Sequence, residues 1–536
     1  MACGPIRKDI LSLRQADHAG WQLCVAILTC FACSPASAAN FYQSNDLDVR
    51  WDNTLRYSAA FRVFSYDAAL VSDPNYDDGD RNFAPGIVSD RLDLLSELDA
   101  SYNDMGLRVS VAGWYDTVYH QRNANDSPST FNPISVPHDK FTRAVARLHG
   151  ADIQLGDAFL YDSLTVAGTP VSFKLGRYAL SWGESLFFGE NSIAGGQAPR
   201  DLIKELESPS GYAKDVFLPV WQTSVALQPA ENVTLSAYYQ LQWRKDKIPG
   251  AGSYFSYADF LDDGGERYIL GPHRDLNRAS DILGHDSGQF GFALQIGGED
   301  FNYGFYALRF NSKEPEVYFR NYGPSEPLPL NGSYQLVYPN GIEAYGASLS
   351  SYLGNSTVAG EISFRKHMPL VSQFINVALG QQADGGDHPL YPIGDTLHGQ
   401  VSSTTTFGRN LFWRRATLNV EVAANERLDI SKNATALDPT RDPFALSLQA
   451  TFAPQEFEVL PALDISLPIG FGYGLAGRSS VDSTQNAGAG NFEFGISATY
   501  RTNWQGSLSF THFIGAPAHQ PLADRDFVSL GIQRTF

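Results

Sequence analysis

Over residues 47–63 the chain alternates. Leu47, Val49, Trp51, Leu55, Tyr57, Ala59, Phe61 and Val63 occupy odd positions; Asp48, Arg50, Asp52, Thr54, Arg56, Ser58 and Arg62 occupy even ones. A period of two puts the sets on opposite faces of one β-strand. At about 3.3 Å per residue, such a strand is long enough to cross a bilayer at a tilt. The pattern recurs. Leu92, Leu94, Leu98 and Ala100 oppose Asp93, Glu97 and Asp99, and Val358, Gly360, Ile362 and Phe364 oppose Glu361, Ser363 and Arg365. Similar runs lie near 233–243, 290–296, 444–452 and 492–500. After the N-terminal region no run of about 18 apolar residues occurs, which excludes a helical membrane protein and leaves a barrel open.

The connections carry an independent signal. Short turns at 103–106, 229–232, 297–300, 354–355, 453–455 and 501–504 alternate with long loops near 64–90, 120–150, 182–219, 244–287, 312–341 and 367–397. Short turns on one side and long loops on the other are the pattern of a transmembrane barrel. The expectation is an all-β, antiparallel transmembrane barrel of about 16–18 strands with both termini periplasmic. Residues 151–161 alternate faintly, but an even strand count requires a strand there. Aromatic residues are 13% of the chain, in keeping with interfacial girdles.

Residues 1–38 read as a signal peptide. Arg7, Lys8 and Arg14 precede an apolar stretch at 21–33, and Ala36-Ser37-Ala38 supplies a small-x-small cleavage site, with the barrel over 39–536. Cys3, Cys24, Cys30 and Cys33 all fall in that leader, so thiol catalysis and cysteine-held metal are excluded from the mature chain. A net charge of -19 argues against nucleic acid as a partner.

The chain ends with Val528, Leu530, Ile532 and Phe536 on one face. This resembles the terminal strand by which outer-membrane barrels are recognised by the barrel-assembly machinery, although Arg534 departs from that pattern. GRYALSWGES at 176–185, LPVWQTSV at 218–225, NYDDGDRNF at 75–83 and AGEISFRKHMPL at 359–370 resemble an uncharacterised proteobacterial outer-membrane barrel family, a domain of unknown function. The resemblance covers nearly all of the mature chain and implies a long barrel associated with transport of hydrophobic compounds.

A barrel of this size leaves a lumen, so function lies in inward residues and in whatever plugs the mouth. Arg50, Arg56, Arg62, Glu361 and Arg365 are inward candidates. Their mixed signs suit cross-strand pairs bracing the wall better than a charge ring. Arg177, Trp182 and Glu184, with Arg200 and Asp201, could anchor a loop folded into the barrel through a charge bridge and an aromatic lid. Phe187 and Phe188 offer apolar contact. So do Leu370, Phe374 and Ile375, whose helical spacing within 368–380 predicts a small helix over the mouth. Asp73, Asp77, Asp78 and Asp80 form a carboxylate cluster of the kind calcium favours. The spacing lacks the glycine and terminal acid of an EF-hand, and a solvated turn is expected. His512 shares its parity with Leu508 and Phe510 and faces outward, and no GxSxG elbow is present, so no catalytic residue and no cofactor are expected. The functional expectation is a channel for a small hydrophobic or amphipathic solute, with the solute class resting on the resemblance. The alternatives are a general or ion-selective porin and a structural or adhesive barrel.

Overall fold

In the computed structural model the described residues are 39–43, 46–272, 274–320 and 330–536; the expected signal peptide lies outside them. The alternating segments become strands β1 (Leu47–Arg62), β2 (Gly86–Tyr102), β3 (Met105–Asp116), β4 (Ala151–Val166), β5 (Thr169–Tyr178) and β6 (Val220–Ala230). They continue as β7 (Val233–Gln240), β8 (Phe290–Gly297), β9 (Phe301–Phe310), β10 (Ile342–Leu353), β11 (Ser356–Pro369) and β12 (Ile393–Phe407). The last six are β13 (Arg415–Arg427), β14 (Phe444–Leu460), β15 (Leu463–Ser466 with Ile469–Ala476), β16 (Gly490–Tyr500), β17 (Trp504–Ile514) and β18 (Phe527–Thr535). Each pairs antiparallel with the next, and β18 pairs with β1 from Thr54↔Thr535 to Arg62↔Phe527, closing an 18-stranded barrel. Asn53 and Phe536 exchange backbone hydrogen bonds of 2.8 Å in both directions. Below them the short strand Ala39–Gln43 takes up the remaining edge of β1. Among the described residues no strand edge is left open along the closure, as a span through lipid requires.

The two faces reverse the partition of a soluble protein. On β11, Ile362 is 53% exposed while its neighbours Glu361 and Arg365 are 6% and 1% exposed. Phe292, Phe305, Val401, Phe494 and Leu508 likewise stand bare on the outside. An apolar outer face around a closed, polar-lined barrel is stable only against hydrocarbon, and this places the chain in the outer membrane.

The strand at 151–166 is fully formed, paired with β3 and β5. The turn expected at 453–455 is absent: β14 runs through it to Leu460 and turns at Pro461-Ala462, where Ala462 has φ 61°. Pro454 is tolerated because a φ near −65° is compatible with extended backbone, and its carbonyl still accepts from Leu467 at 3.0 Å. The helix expected over 368–380 is also absent. Ile375–Asn376 is instead an edge strand, parallel to Glu316–Arg320, in a five-stranded sheet that caps the long-loop end together with Leu330–Val337, Arg274–Arg278 and Arg267–Gly271. A free sheet edge offering main-chain partners outcompetes a short isolated helix.

Candidate functional site

Residues 179–219 connect β5 to β6, but they fold down into the barrel and cross to the opposite wall. Away from any ladder, their backbone groups need other partners. The far wall supplies them as charges. Glu361 on β11 accepts the N–H groups of Glu184 and Ile193 at 2.9 and 2.6 Å. Glu421 on β13 accepts those of Leu186, Phe187 and Phe188 at 3.1, 2.6 and 3.0 Å. Arg365 donates to the carbonyls of Glu190, Asn191 and Ser192 at 3.0, 2.9 and 2.8 Å. One carboxylate can accept several donors, and bonds to an ionised group are about twice as strong as neutral ones. The Asn191 side chain donates to the carbonyls of Gly399 and Ala424 at 3.3 and 3.2 Å, and its Oδ1 lies 3.0 Å from His398 Nδ1. Further along, Gln449 on β14 donates to the Pro209 carbonyl at 3.2 Å, and Asn419 on β13 to the Tyr212 hydroxyl at 2.9 Å.

Gly183 explains the centre of the WGE motif. Its φ is +93°, and a Cβ there would sit 2.0 Å from Glu361 Oε2, so the turn that delivers the Glu184 N–H tolerates no side chain. Trp182 supplies the apolar half of the anchor. Its ring meets Tyr238 edge-on at 5.1 Å and Tyr306 at 6.2 Å, beside the buried Ile193, Leu308, Phe310 and Ile342.

Arg177 is not in the lumen. It shares its parity with the outward Phe173 and Leu175, and its Nε donates to the carbonyls of Leu155 and Gly156 in β4 at 3.2 and 2.9 Å. The Arg177–Glu184 charge bridge is therefore replaced by the wall carboxylates. Arg62 is also withdrawn from the lumen. It is 2% exposed and bonds Asp80 at 3.1 Å and Asp524 at 3.3 Å near the outer rim. Arg50 lies along the inner wall, 3.2 Å from Asp52 and 3.7 Å from Asp99. Arg56 is exposed to the interior and lines a cavity there.

Arg200 is the electrostatic centre of the plug. Its guanidinium lies 2.9 Å from Glu314, 3.3 Å from Glu190, 3.5 Å from Glu205 and 3.6 Å from Asp246. Burial opposes its charge, but the four carboxylates more than offset this and hold it protonated. Burial also drives Asp246 up to about 6, against the pull of Arg200, and raises Glu314 well above the usual carboxylate range. Lys313 donates to the carbonyls of Gly195 and Gly196 at 3.2 and 3.0 Å. Asp201 caps the short helix Leu202–Glu207 by accepting from the Lys204 N–H at 3.3 Å, and pairs with Lys247 at 3.1 Å.

The plug divides the interior into chambers. One, of about 370 Å³ against β1–β3, is lined by Arg56, Arg91, Asp93, Asp116, Lys204 and Glu207 with Tyr254 and Phe255. A second, of about 300 Å³, brings Phe187, Phe188, Leu206, Tyr257, Tyr473 and Phe513 beside Arg200, Glu205, Gln485 and Asn491. A third, of about 440 Å³ toward the short turns, holds Phe159, Tyr161, Leu180 and Trp182 with Lys174 and Arg108. Leu370 and Ile375 reach none of them. They are 0% and 7% exposed: Ile375 packs with Tyr318, Val337 and Tyr391 in the cap, and Leu370 lies against Gly394 of β12. Phe374 lies on the cap sheet, stacked on Phe319 at 4.8 Å.

The family described as "Protein of unknown function (DUF1302)" matches residues 19–536. The chain belongs to it. No curated protein matches the chain. Among solved structures it is similar to OccAB1 of Acinetobacter baumannii, with 11% identity, a TM-score of 0.43, and 91% of this chain and 96% of that one covered. It is also similar to OccK9 (OpdG) of Pseudomonas aeruginosa, with 11% identity, a TM-score of 0.41, and 91% and 98% covered. A BenF-like porin from Pseudomonas fluorescens Pf-5 shows 10% identity, a TM-score of 0.42, and 91% and 98% covered.

In this DUF1302 member, sequence reasoning missed Glu421, Asn191, His398, Asp246 and Glu314. Glu421 was within reach, because Leu418, Val420 and Val422 alternate with Asn419, Glu421 and Ala423. Asp246 and Glu314 lie in long loops without periodicity, where no pattern says what they meet.

Proposed function

We propose that the chain is an outer-membrane channel for small hydrophobic or amphipathic compounds, with residues 179–219 as its internal gate. The inward-folded segment carries this reading. It replaces an open water column with chambers in which aromatic rings stand beside a few charged and amide groups. Such a lining suits a solute with an apolar body and a polar end. An ion-selective pore would favour rings of one sign, whereas Arg56, Arg91 and Lys204 share a chamber with Asp93, Asp116 and Glu207. The test is uptake of a small aromatic carboxylate and of an equally small sugar into proteoliposomes, alongside single-channel recording. Preferential uptake of the aromatic solute with low ionic current supports the reading. A large steady current without preference between the solutes would instead mark a general porin.

A further inference from the structure

Residues 73–80 do not form a solvated turn. Asp77, Asp78 and Asp80 are at most 1% exposed, sealed beneath the loops that follow β3 and β7. Asp80 is committed to two guanidiniums, Arg62 at 3.1 Å and Arg525 at 2.7 Å. Asp77 and Asp78 are brought instead against Asp259, from the distant 241–289 loop and itself 1% exposed. One carboxylate oxygen from each of Asp77, Asp78 and Asp259 lies within 4.8 Å of the other two.

Partners satisfy only part of this group. Asp77 Oδ2 pairs with Arg81 at 2.5 Å. Asp259 Oδ2 accepts the Asp78 N–H at 3.0 Å, and Asp78 accepts the Asn132 N–H at 2.9 Å on Oδ2 and the Asn125 side-chain amide at 3.1 Å on Oδ1. Asp77 Oδ1, Asp259 Oδ1 and Asn132 Oδ1 are buried oxygens without a hydrogen-bond partner. Among the described residues no ion pair reaches Asp78 or Asp259. Unmatched buried carboxylates are costly unless a cation or a proton neutralises them.

We propose that Asp77, Asp78 and Asp259 bind a calcium ion that locks the external cap. Calcium takes 6–8 oxygen ligands at about 2.3–2.6 Å, so two oxygens on one ion lie at most about 5 Å apart. Three converging carboxylates suit a hard cation. The charge balance agrees. Asp80 and Asp524 face Arg62 and Arg525, and Arg81 is shared between Asp77 and the exposed Asp126, so Asp78 and Asp259 keep two negative charges with no cation of the chain against them. Asp77 and Asp78 lie in the loop after β1 and Asp259 in the loop after β7, so one ion ties these two loops together over the mouth, and the loop after β3 joins through the bonds that Asn125 and Asn132 give Asp78.

The test uses the folded full-length barrel in detergent, stripped with EDTA and titrated with terbium at pH 7.5. Tyrosine-sensitised terbium luminescence should saturate near one equivalent and be displaced by calcium. D259N and D78N, checked for folding by heat-modifiable migration, should each weaken binding more than about tenfold, whereas D73N should not. Luminescence in folded D259N and D78N equal to wild type would overturn the proposal, as would displacement by magnesium and not by calcium. So would an EDTA-insensitive cap that D259N stabilises at pH 7.5, since that marks buried acids neutralised by protons.

Discussion

Replacing Glu421 with alanine removes the acceptor shared by the N–H groups of Leu186, Phe187 and Phe188. Orphaning a buried donor costs about 1–3 kcal/mol, and the lower figure applies beside a wet chamber. Three donors then amount to about 3 kcal/mol, which raises the displaced population of the plug roughly 100-fold at 1.4 kcal/mol per decade. The barrel wall should stand, because β13 keeps its ladders to β12 and β14. Single-channel recording in planar bilayers reads the effect: wild type should show rare, brief openings, and E421A frequent, larger ones. E361A, which orphans two donors, should act in the same direction and more weakly. If the E361A/E421A double variant keeps the wild-type conductance and open probability, the plug is not held by these carboxylates and the reasoning fails.

Other consequences follow from the same contacts. G183A should open the channel much as E361A does, because its Cβ would collide with the Glu361 carboxylate; bilayer recording checks this. Asp246 has a folded value of about 6, above its ordinary value, so its contribution to plug stability is complete below about pH 4 and is lost as pH rises through 6. Glu314 is raised as well and adds in the same sense, because burial and the neighbouring Glu190, Asp482 and Asp246 outweigh the pull of Arg200. Open probability should therefore rise between about pH 4 and pH 6, and D246N should flatten that rise. F187A and F188A should lower uptake of an aromatic solute relative to a sugar, while a matching loss for both solutes would make these rings structural. Deleting Phe536 should reduce insertion by the barrel-assembly machinery, read as loss of heat-modifiable protein from the outer membrane.

The barrel was legible because lipid on one side and lumen on the other impose a period of two on nearly every strand. Legibility failed where other forces ruled. At 453–455 a proline mimicked a turn inside β14. At 368–380 the spacing of Leu370, Phe374 and Ile375 mimicked a helix, but an open sheet edge claimed the segment. The site was half visible. The WGE motif and the inward Glu361 and Arg365 could be read as an anchor, yet their partners lie about 180 residues apart in sequence. Asp259 could not be tied to Asp77 from the sequence for the same reason, since contacts between long loops leave no periodic trace.

If residues 179–219 fill the lumen and gate it, fixing them to the wall must stop passage. The mature chain is expected to lack cysteine, so a single engineered disulfide can test it. A Cβ built on Gly470 in β15 lies 2.6 Å from the Ser210 Cβ, and a shift of about 1 Å brings S210C/G470C into disulfide range. Oxidation should tether the plug and abolish both the openings and the solute uptake, and reduction should restore them. A disulfide that forms without changing passage, or cysteines that never pair in the folded barrel, would contradict the account.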